Sequence, residues 1–253
     1  MPATDNHEAF PQPQNRDGIL WRYMDFPKLV SLLTTSKLYL SQLASLNAED
    51  PAEGKLPHYV RKAMVDQWDR RVAPVAQEVC DRSYPVDRAV EMMRATTYVN
   101  CWCLQERELA TMWRIYGGSS GVAVKTQYGI LAESLPAWVF IGQVQYIDYS
   151  KSGLPSQNGL SPVMHKRHFF KEEAEFRIVQ WLSTNQPNRP PTRDDRTPFD
   201  RYPQGVFVPI DLKKAIREVV VSPLVPRWHE ECVRAVVERF SPWVKVTQSK
   251  MLG

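Results

Sequence analysis

Two residues of opposite charge stand where a buried strand is predicted. From Glu175 onward the side chains alternate with a period of two, which is typical of a strand. Glu175 and Arg177 share one face of this strand, and both faces carry large apolar groups. A strand covered on both faces tolerates an ion only when that ion is paired. The two residues therefore form either a structural ion pair or part of a site in which each keeps the other charged.

A second charged exception lies in the predicted first strand, within the run Leu20-Trp21-Arg22-Tyr23. Trp21 and Tyr23 share one face of this strand, and Arg22 lies on the other. An arginine in the middle of an apolar strand has to meet a carboxylate, a phosphate or solvent. Arg22 is thus either a binding residue or an edge-strand side chain that reaches water.

An acidic loop follows the second predicted strand, at residues 47–54. It contains Asn47, Asp50 and Glu53 together with a proline and a glycine. Such a loop can cap or line a cleft. Its spacing matches no EF-hand, so a solvated acidic loop is the alternative and no metal is expected there.

A predicted helix at residues 107–116 ends in Trp113 and Tyr116 and runs into a Gly/Ser turn that contains Ser120. Aromatic side chains beside a turn with free backbone N–H groups can form the wall of an anion-binding pocket. The alternative is that both aromatic residues are ordinary core. The turn is not a phosphate loop, because no helix opens after it.

Two further patterns suggest a metal only weakly. Cys101 and Cys103 form a single CxC pair, and buried reduced thiols are the expected interpretation. His165 and His168 lie three residues apart on a helix predicted for residues 162–172, but nothing completes a metal signature. We expect no metal.

The chain has 253 residues, of which 43% are hydrophobic and 24% charged, with a net charge of +4. This composition supports a full core but is too weakly basic to indicate a nucleic-acid scaffold. The alternation of elements favours a single α+β domain, with mixed or antiparallel sheets flanked by helices, over residues 18–253. Residues 1–17 are predicted to be a disordered lead-in without a signal sequence, and residues 150–161 and 184–204 to be long surface loops. No run is apolar enough to span a membrane, so a cytoplasmic location is expected.

Other predicted elements include a short helix that begins at Pro27, helices over residues 58–80 and 85–95, and strands over residues 98–104 and 138–149. Residues 206–248 are predicted to alternate strand, helix, strand, helix, strand.

Several of these segments, in order, resemble a bacterial family of uncharacterised proteins, the domain of unknown function 2971. The segments that carry the resemblance are Leu20-Trp21-Arg22-Tyr23, Asn47 with Asp50-Pro51-Ala52-Glu53, Met112-Trp113-Arg114-Ile115-Tyr116 with Gly121-Val122, and Phe170-Lys171-Glu172-Glu173-Ala174-Glu175-Phe176-Arg177. They cover residues 19–182. The chain departs from the family pattern at Ala48-Glu49, which is inserted, and at Cys101-Trp102-Cys103.

More remotely, the chain resembles the ADP-ribosyltransferase superfamily. Arginine-directed members carry an arginine on an early strand and a Glu-x-Glu motif near the end, and Arg22 and Glu173-Ala174-Glu175 look similar to these. The resemblance implies a split sheet and NAD as substrate, with Glu175, Glu173 and Arg177 as catalytic residues. It also implies that Arg22, Tyr23, Asn47, Asp50, Glu53, Trp113, Tyr116 and Ser120 line the NAD site, and that Ser120 stands in for a mid-chain serine. The acceptor, a protein or a nucleic acid, stays open, and similar bacterial proteins suggest phage defence or toxin action.

Two alternatives compete with an NAD-cleaving enzyme. In the first, the charged residues hold the fold and the acidic loop binds a protein partner, so that the chain is a non-catalytic interaction module. In the second, the protein is a metal-dependent nucleic-acid enzyme, for which the sequence offers no convincing acid cluster.

Overall fold

The computed structural model describes residues 7–48, 50–72, 84–151, 153–154, 158–182 and 202–251. Eleven strands are present in this part of the chain. In chain order they are β1 (Ile19–Asp25), β2 (Lys37–Gln42), β3 (Thr97–Leu104), β4 (Gly121–Gln127), β5 (Phe140–Gln143), β6 (Gln145–Ile147), β7 (His165–Arg167), β8 (Glu175–Trp181), β9 (Gly205–Pro209), β10 (Glu218–Val221) and β11 (Lys245–Gln248).

The same residues form seven α-helices: α1 (Phe26–Thr35), α2 (His58–Val72), α3 (Tyr84–Thr96), α4 (Ala110–Met112), α5 (Tyr128–Glu133), α6 (Leu212–Ala215) and α7 (Arg227–Phe240). A π-type turn, Trp113–Gly117, continues α4, and short 3-10 turns cover Leu43–Ala48, Gly118–Ser120, Ser161–Met164 and His168–Glu173. The fold is α+β, as predicted. None of these helices is long and apolar enough to cross a lipid bilayer.

Nine strands form one mixed sheet in the order β11-β10-β4-β1-β3-β2-β9, with β8 on the other edge of β3 and β5 beyond β8. All its pairs are antiparallel except β10 with β11. Strands β6 and β7 form a separate parallel pair.

The residue pattern explains how the sheet is covered. Helix α1 begins where Asp25 caps it and Pro27 occupies its first turn, and it buries Leu29, Leu32 and Leu33. These leucines belong to the main core, with residues of α5, α6 and α7, on one face of the sheet. Two smaller clusters cover the other face, and β8 is buried from Glu175 to Gln180.

One strand edge is left open in the middle of the sheet. Strands β1 and β2 pair with the same edge of β3, but β1 reaches only Cys103 and Leu104 and β2 only Tyr98 and Val99. The intervening residues Asn100, Cys101 and Trp102 have no strand partner on this side among the described residues; we call them the open edge of β3. A gap therefore separates β1 from β2 along β3, within one continuous sheet.

The predicted helix at residues 162–172 is wrong. Residues Ser161–Met164 make one 3-10 turn, His165–Arg167 pair with β6 as β7, and a second 3-10 turn follows. Ser161 and Pro162 are a good helix start, but pairing with β6 takes up the backbone groups that a helix would need. His165 and His168 therefore do not lie on one helix.

The lead-in also differs from the prediction. Within residues 7–17, Phe10 is buried and its ring stacks on Phe140, with centroids 4.8 Å apart. The Gln12 amide donates to the Ile141 carbonyl at 2.7 Å. This segment is thus part of the core, because two apolar residues within a polar stretch are enough to anchor it.

Other boundaries shift as well. The helix predicted at residues 107–116 begins only at Ala110, and the strand predicted at 138–149 is divided at Val144. The loop at 150–161 ends in the core, where Leu160 and Ser161 are buried, although residues 152 and 155–157 lie outside the described part. Residues 73–83 and 183–201, and with them most of the predicted 184–204 loop, also lie outside it.

Candidate functional site

The predicted pair on β8 forms a two-pronged ion pair. Arg177 donates from Nε to Oε1 of Glu175 at 2.8 Å and from Nη2 to Oε2 at 3.0 Å. The two side chains are 1% and 5% exposed. Both faces of β8 are covered, so water does not stabilise these ions. Each charge is instead stabilised by its partner of opposite sign.

Two more carboxylates and a lysine complete a buried ionic cluster, which we define as Glu53, Lys166, Glu173, Glu175 and Arg177. Arg177 Nη1 donates to Oε1 of Glu53 at 2.8 Å. Lys166 Nζ lies 2.6 Å from Oε2 of Glu173, 3.4 Å from Oε2 of Glu175 and 3.8 Å from Oε2 of Glu53. Three carboxylates thus share two cations, and Glu173, at 18% exposed, is the most accessible of the five.

The pKa values follow from this balance. Burial alone would raise the pKa of Glu175, but Arg177 and Lys166 outweigh it and lower that pKa to about 2. Burial raises the pKa of Glu173 above its usual value, although Lys166 opposes the shift. Burial would lower the pKa of Lys166, but Glu175 and the other carboxylates raise it well above the ordinary value. Glu175 is therefore a permanent anion at neutral pH.

Cys101 connects this cluster with Arg22. In the antiparallel pairing of β3 with β8, the Leu104 N–H donates to the Ala174 carbonyl, so the backbone groups of Cys101 point away from β8. The Cys101 carbonyl accepts a hydrogen bond from Nη1 of Arg22 at 2.8 Å, at the open edge of β3. The Glu175 carboxylate lies near its thiol and helps to raise the pKa of that thiol. Arg22 and Glu175, 153 positions apart in the sequence, thus both adjoin Cys101.

The acidic loop supplies Glu53 to the cluster, and a second carboxylate, Asp50, ties the loop to β7 beside it. Glu53 binds Arg177 and Lys166, and Asp50 pairs with Nη2 of Arg167 at 2.5 Å. Asp50 also accepts from the Ala52 N–H at 2.9 Å, which shapes the turn. Both carboxylates are buried, so this is not a solvated loop.

A glycine is required where the acidic loop turns back. Gly54 has a φ of +66°, and a Cβ there would lie 2.7 Å from Cδ2 of Leu43. This turn places Glu53 beside Arg177.

The predicted aromatic wall is mainly core. Trp113 is 1% exposed and donates from Nε1 to Glu108 at 2.8 Å, and its ring meets the Tyr23 ring edge-on at 4.9 Å. The Tyr23 hydroxyl accepts from the Leu109 N–H. Tyr116 packs against Trp113 and Tyr23 but is only half-buried, so it is the one predicted aromatic residue that retains an accessible surface.

The ionic cluster contains none of the predicted residues Tyr23, Asn47, Trp113, Tyr116 and Ser120. Ser120 ends the Gly118–Ser120 turn just before β4 and is half-buried. Asn47 lies in the Leu43–Ala48 turn, and its side chain falls outside what the structure describes.

The sequence does not indicate a site role for three residues that shape this site, Lys166, Arg167 and Tyr146. Lys166 and Arg167 fall in the wrongly predicted helix, where they would look like surface cations. Tyr146, whose hydroxyl accepts from the Glu175 N–H at 2.8 Å, is three positions past the end of β5. Only Cys101 carried a signal, as a polar residue within a buried strand.

Two comparisons with known proteins found no match. No protein-family model matches the chain, and no curated protein matches it. Within the described ranges, no group of three or more His, Cys, Asp or Glu residues could hold a metal ion. The function must therefore be argued from the geometry.

Proposed function

We propose that the protein is an ADP-ribosyltransferase-like enzyme that binds NAD and cleaves its nicotinamide–ribose bond. The observation that carries the proposal is that Arg22 and Glu175 both adjoin Cys101, beside the open edge of β3. An early arginine and a late carboxylate near one residue support the proposal, because the superfamily resemblance implies such a pair.

The chemistry needs a fixed negative charge. The bond between ribose C1′ and the pyridinium nitrogen breaks, its electron pair leaves with nicotinamide, and positive charge develops on the ribose. A carboxylate held close to that charge stabilises it electrostatically. Glu175 supplies the charge, and Arg22 grips a phosphate or the ribose.

The second carboxylate suits the acceptor. Glu173 is the most exposed member of the ionic cluster, and burial raises its pKa. A carboxylate of raised pKa is better able to take the proton that the acceptor loses as it bonds to C1′. Tyr116, rather than the buried Trp113, is left to stack on a planar ring of the substrate.

The geometry imposes one requirement. Both oxygens of Glu175 are already occupied by Arg177, and Oε2 also lies near Lys166. A ribose hydroxyl that bonds to Oε2 of Glu175 competes with the longest contact of that oxygen, the one with Lys166 at 3.4 Å. Substrate binding should therefore shift Lys166 towards Glu173.

The test measures nicotinamide release from NAD in excess chelator, together with the change in melting temperature that NAD causes. A ligand at ~100 times its Kd adds roughly 2.7 kcal/mol to the free energy of unfolding. We expect metal-independent release that is lost in Glu175→Gln and kept in Glu231→Gln, whose carboxylate is exposed. The proposal is refuted if NAD causes no shift in the melting temperature and no nicotinamide is released under any condition. Loss of activity in the presence of the chelator would favour a metal-dependent enzyme.

One observation favours a second candidate, a non-catalytic interaction module. The Glu175 side chain is 5% exposed and every one of its partners is internal, as expected of a charge that only holds the fold. In that case Glu175→Gln lowers the free energy of unfolding. NAD then leaves the melting temperature unchanged, and no nicotinamide is released from it.

A further inference from the structure

A cleft lies beside the ionic cluster and is not used by the proposed NAD chemistry. Its volume is about 330 Å³, and it is lined by Asp148, Tyr149, Ser150, Arg167, His168 and Phe169. Its two walls are the turn after β6 and the turn after β7. Tyr149 is fixed there by a hydrogen bond from its hydroxyl to the His165 carbonyl at 3.2 Å. A cleft of this size can enclose one aromatic ring system.

One wall carries an exposed aromatic platform. Phe169 is 75% exposed, which is more than any other large hydrophobic residue described. Its ring lies 4.1 Å from that of His168, tilted by 37°. A ring that gains nothing from burial in the fold is available to stack on a planar ligand.

A guanidinium forms the second feature. Arg167 donates from Nη2 to Asp50 and packs over the Phe170 ring, and these contacts hold the side chain in one direction. No hydrogen bond uses its Nη1 within the described residues, and the side chain is 34% exposed. A fixed arginine with a free Nη1 can donate N–H groups to the acceptors on the edge of a planar ring.

An ionised carboxylate forms the third. Asp148 accepts hydrogen bonds on Oδ1 from the N–H of Ser150 at 2.9 Å and from its hydroxyl at 2.6 Å. These bonds lower the pKa of Asp148. Its Oδ2 lies 3.7 Å from Lys151 Nζ, beyond hydrogen-bond distance, so this oxygen keeps its acceptor capacity.

We propose that this cleft binds a guanine base, with Phe169 as the stacking surface, Arg167 as the donor and Asp148 as the acceptor. Guanine presents two acceptors, O6 and N7, on one edge, which is the pattern that an arginine recognises. It also carries N–H donors at N1 and N2, which a carboxylate accepts. Adenine offers Asp148 an acceptor at N1, and cytosine has no second ring to stack. The proposal does not depend on NAD cleavage.

The base could come from a free guanine nucleotide or from single-stranded nucleic acid, and the experiment separates these sources. Binding of GMP, AMP and CMP is measured by calorimetry, beside single-stranded RNA hexamers of uridine with and without one central guanosine. We expect GMP to bind at least about tenfold more tightly than AMP or CMP. A hexamer that binds more tightly than GMP, and loses affinity as salt rises, identifies nucleic acid as the source; equal affinities identify the free nucleotide.

Two variants and one matched control test the site itself. Phe169→Ala should weaken GMP binding about tenfold, because it removes the stacking surface. Asp148→Asn should abolish the preference for GMP over AMP. Trp228→Ala is the control, since Trp228 is 64% exposed and also lies next to a histidine, His229, but on α7. The proposal is overturned if neither GMP nor the guanosine hexamer binds at millimolar concentration, if AMP binds as tightly as GMP, or if Phe169→Ala binds GMP like the wild type.

Discussion

Arg177 holds both oxygens of Glu175 and, through its remaining nitrogen, one oxygen of Glu53, all with its side chain 1% exposed. A guanidinium is suited to this position because its planar fork satisfies one carboxylate in two places and still reaches a second. The same arrangement explains why the acidic loop and β8 stay together. It also makes the arginine the member of the ionic cluster whose loss leaves the most charge unpaired.

Arg177→Ala should lower the free energy of unfolding by about 3–5 kcal/mol, because it leaves buried carboxylates without their partner. Urea unfolding followed by circular dichroism measures the change. Arg227→Ala is the matched control: Arg227 pairs with Glu231 but is 91% exposed, so its loss should change the stability by less than about 0.5 kcal/mol. Equal effects of the two substitutions would contradict a structural role for the buried pair.

The stability should also depend on pH through Glu175. Its pKa is lowered in the folded protein from 4.5 to about 2. A carboxyl whose folded pKa lies below its unfolded value stabilises the fold above the unfolded pKa, and loses that contribution as the pH falls towards the folded pKa. The free energy of unfolding should therefore decrease between pH 4.5 and 2.

Urea titrations at several pH values across this window measure the decrease. Glu175→Gln should flatten the dependence, since the amide does not titrate, while Glu231→Gln should leave it unchanged because that carboxylate is exposed. An unchanged slope in Glu175→Gln would show that other groups dominate acid unfolding.

The sequence predicted the buried pair well because the information is local. The period of two after Glu175, with apolar residues on both faces, is enough to infer a covered strand, and a covered strand requires that Arg177 pair with an acid. The α+β class also followed from the local alternation of elements.

The rest of the cluster could not be predicted, because it depends on contacts between distant segments. Lys166 reaches Glu175 only because residues 165–167 pair with β6, and the Ser161-Pro162 start signal favours a helix there instead. Glu53 and Arg177 are 124 positions apart, and the local sequence around either residue does not predict their contact. Tertiary pairing overrode the local helix preference at Lys166, and it brought Glu53 to Arg177 without any local signal.

The cysteines should differ strongly in reactivity. Burial, followed by the nearby negative charge of Glu175, raises the pKa of the Cys101 thiol well above its usual value and that of Cys103 to about 12. Because the thiolate is the reactive form, neither thiol should be alkylated quickly at pH 8. Of the three cysteines that the structure describes, Cys232 is exposed and should react first. Peptide mapping after a timed pulse of iodoacetamide gives the order, and fast labelling of Cys101 would contradict the raised pKa of its thiol.

Phe10→Ala tests whether the first segment belongs to the fold. The ring is 1% exposed and stacks on Phe140, so its removal leaves a cavity and should lower the free energy of unfolding by about 3–5 kcal/mol. Phe169→Ala is the matched control, because the same substitution at a ring that is 75% exposed creates no cavity. Thermal and urea unfolding of both variants measure the contrast. If Phe10→Ala were as stable as the wild type, residues 7–17 would contribute nothing to the core, and the lead-in predicted from the sequence would be the better description.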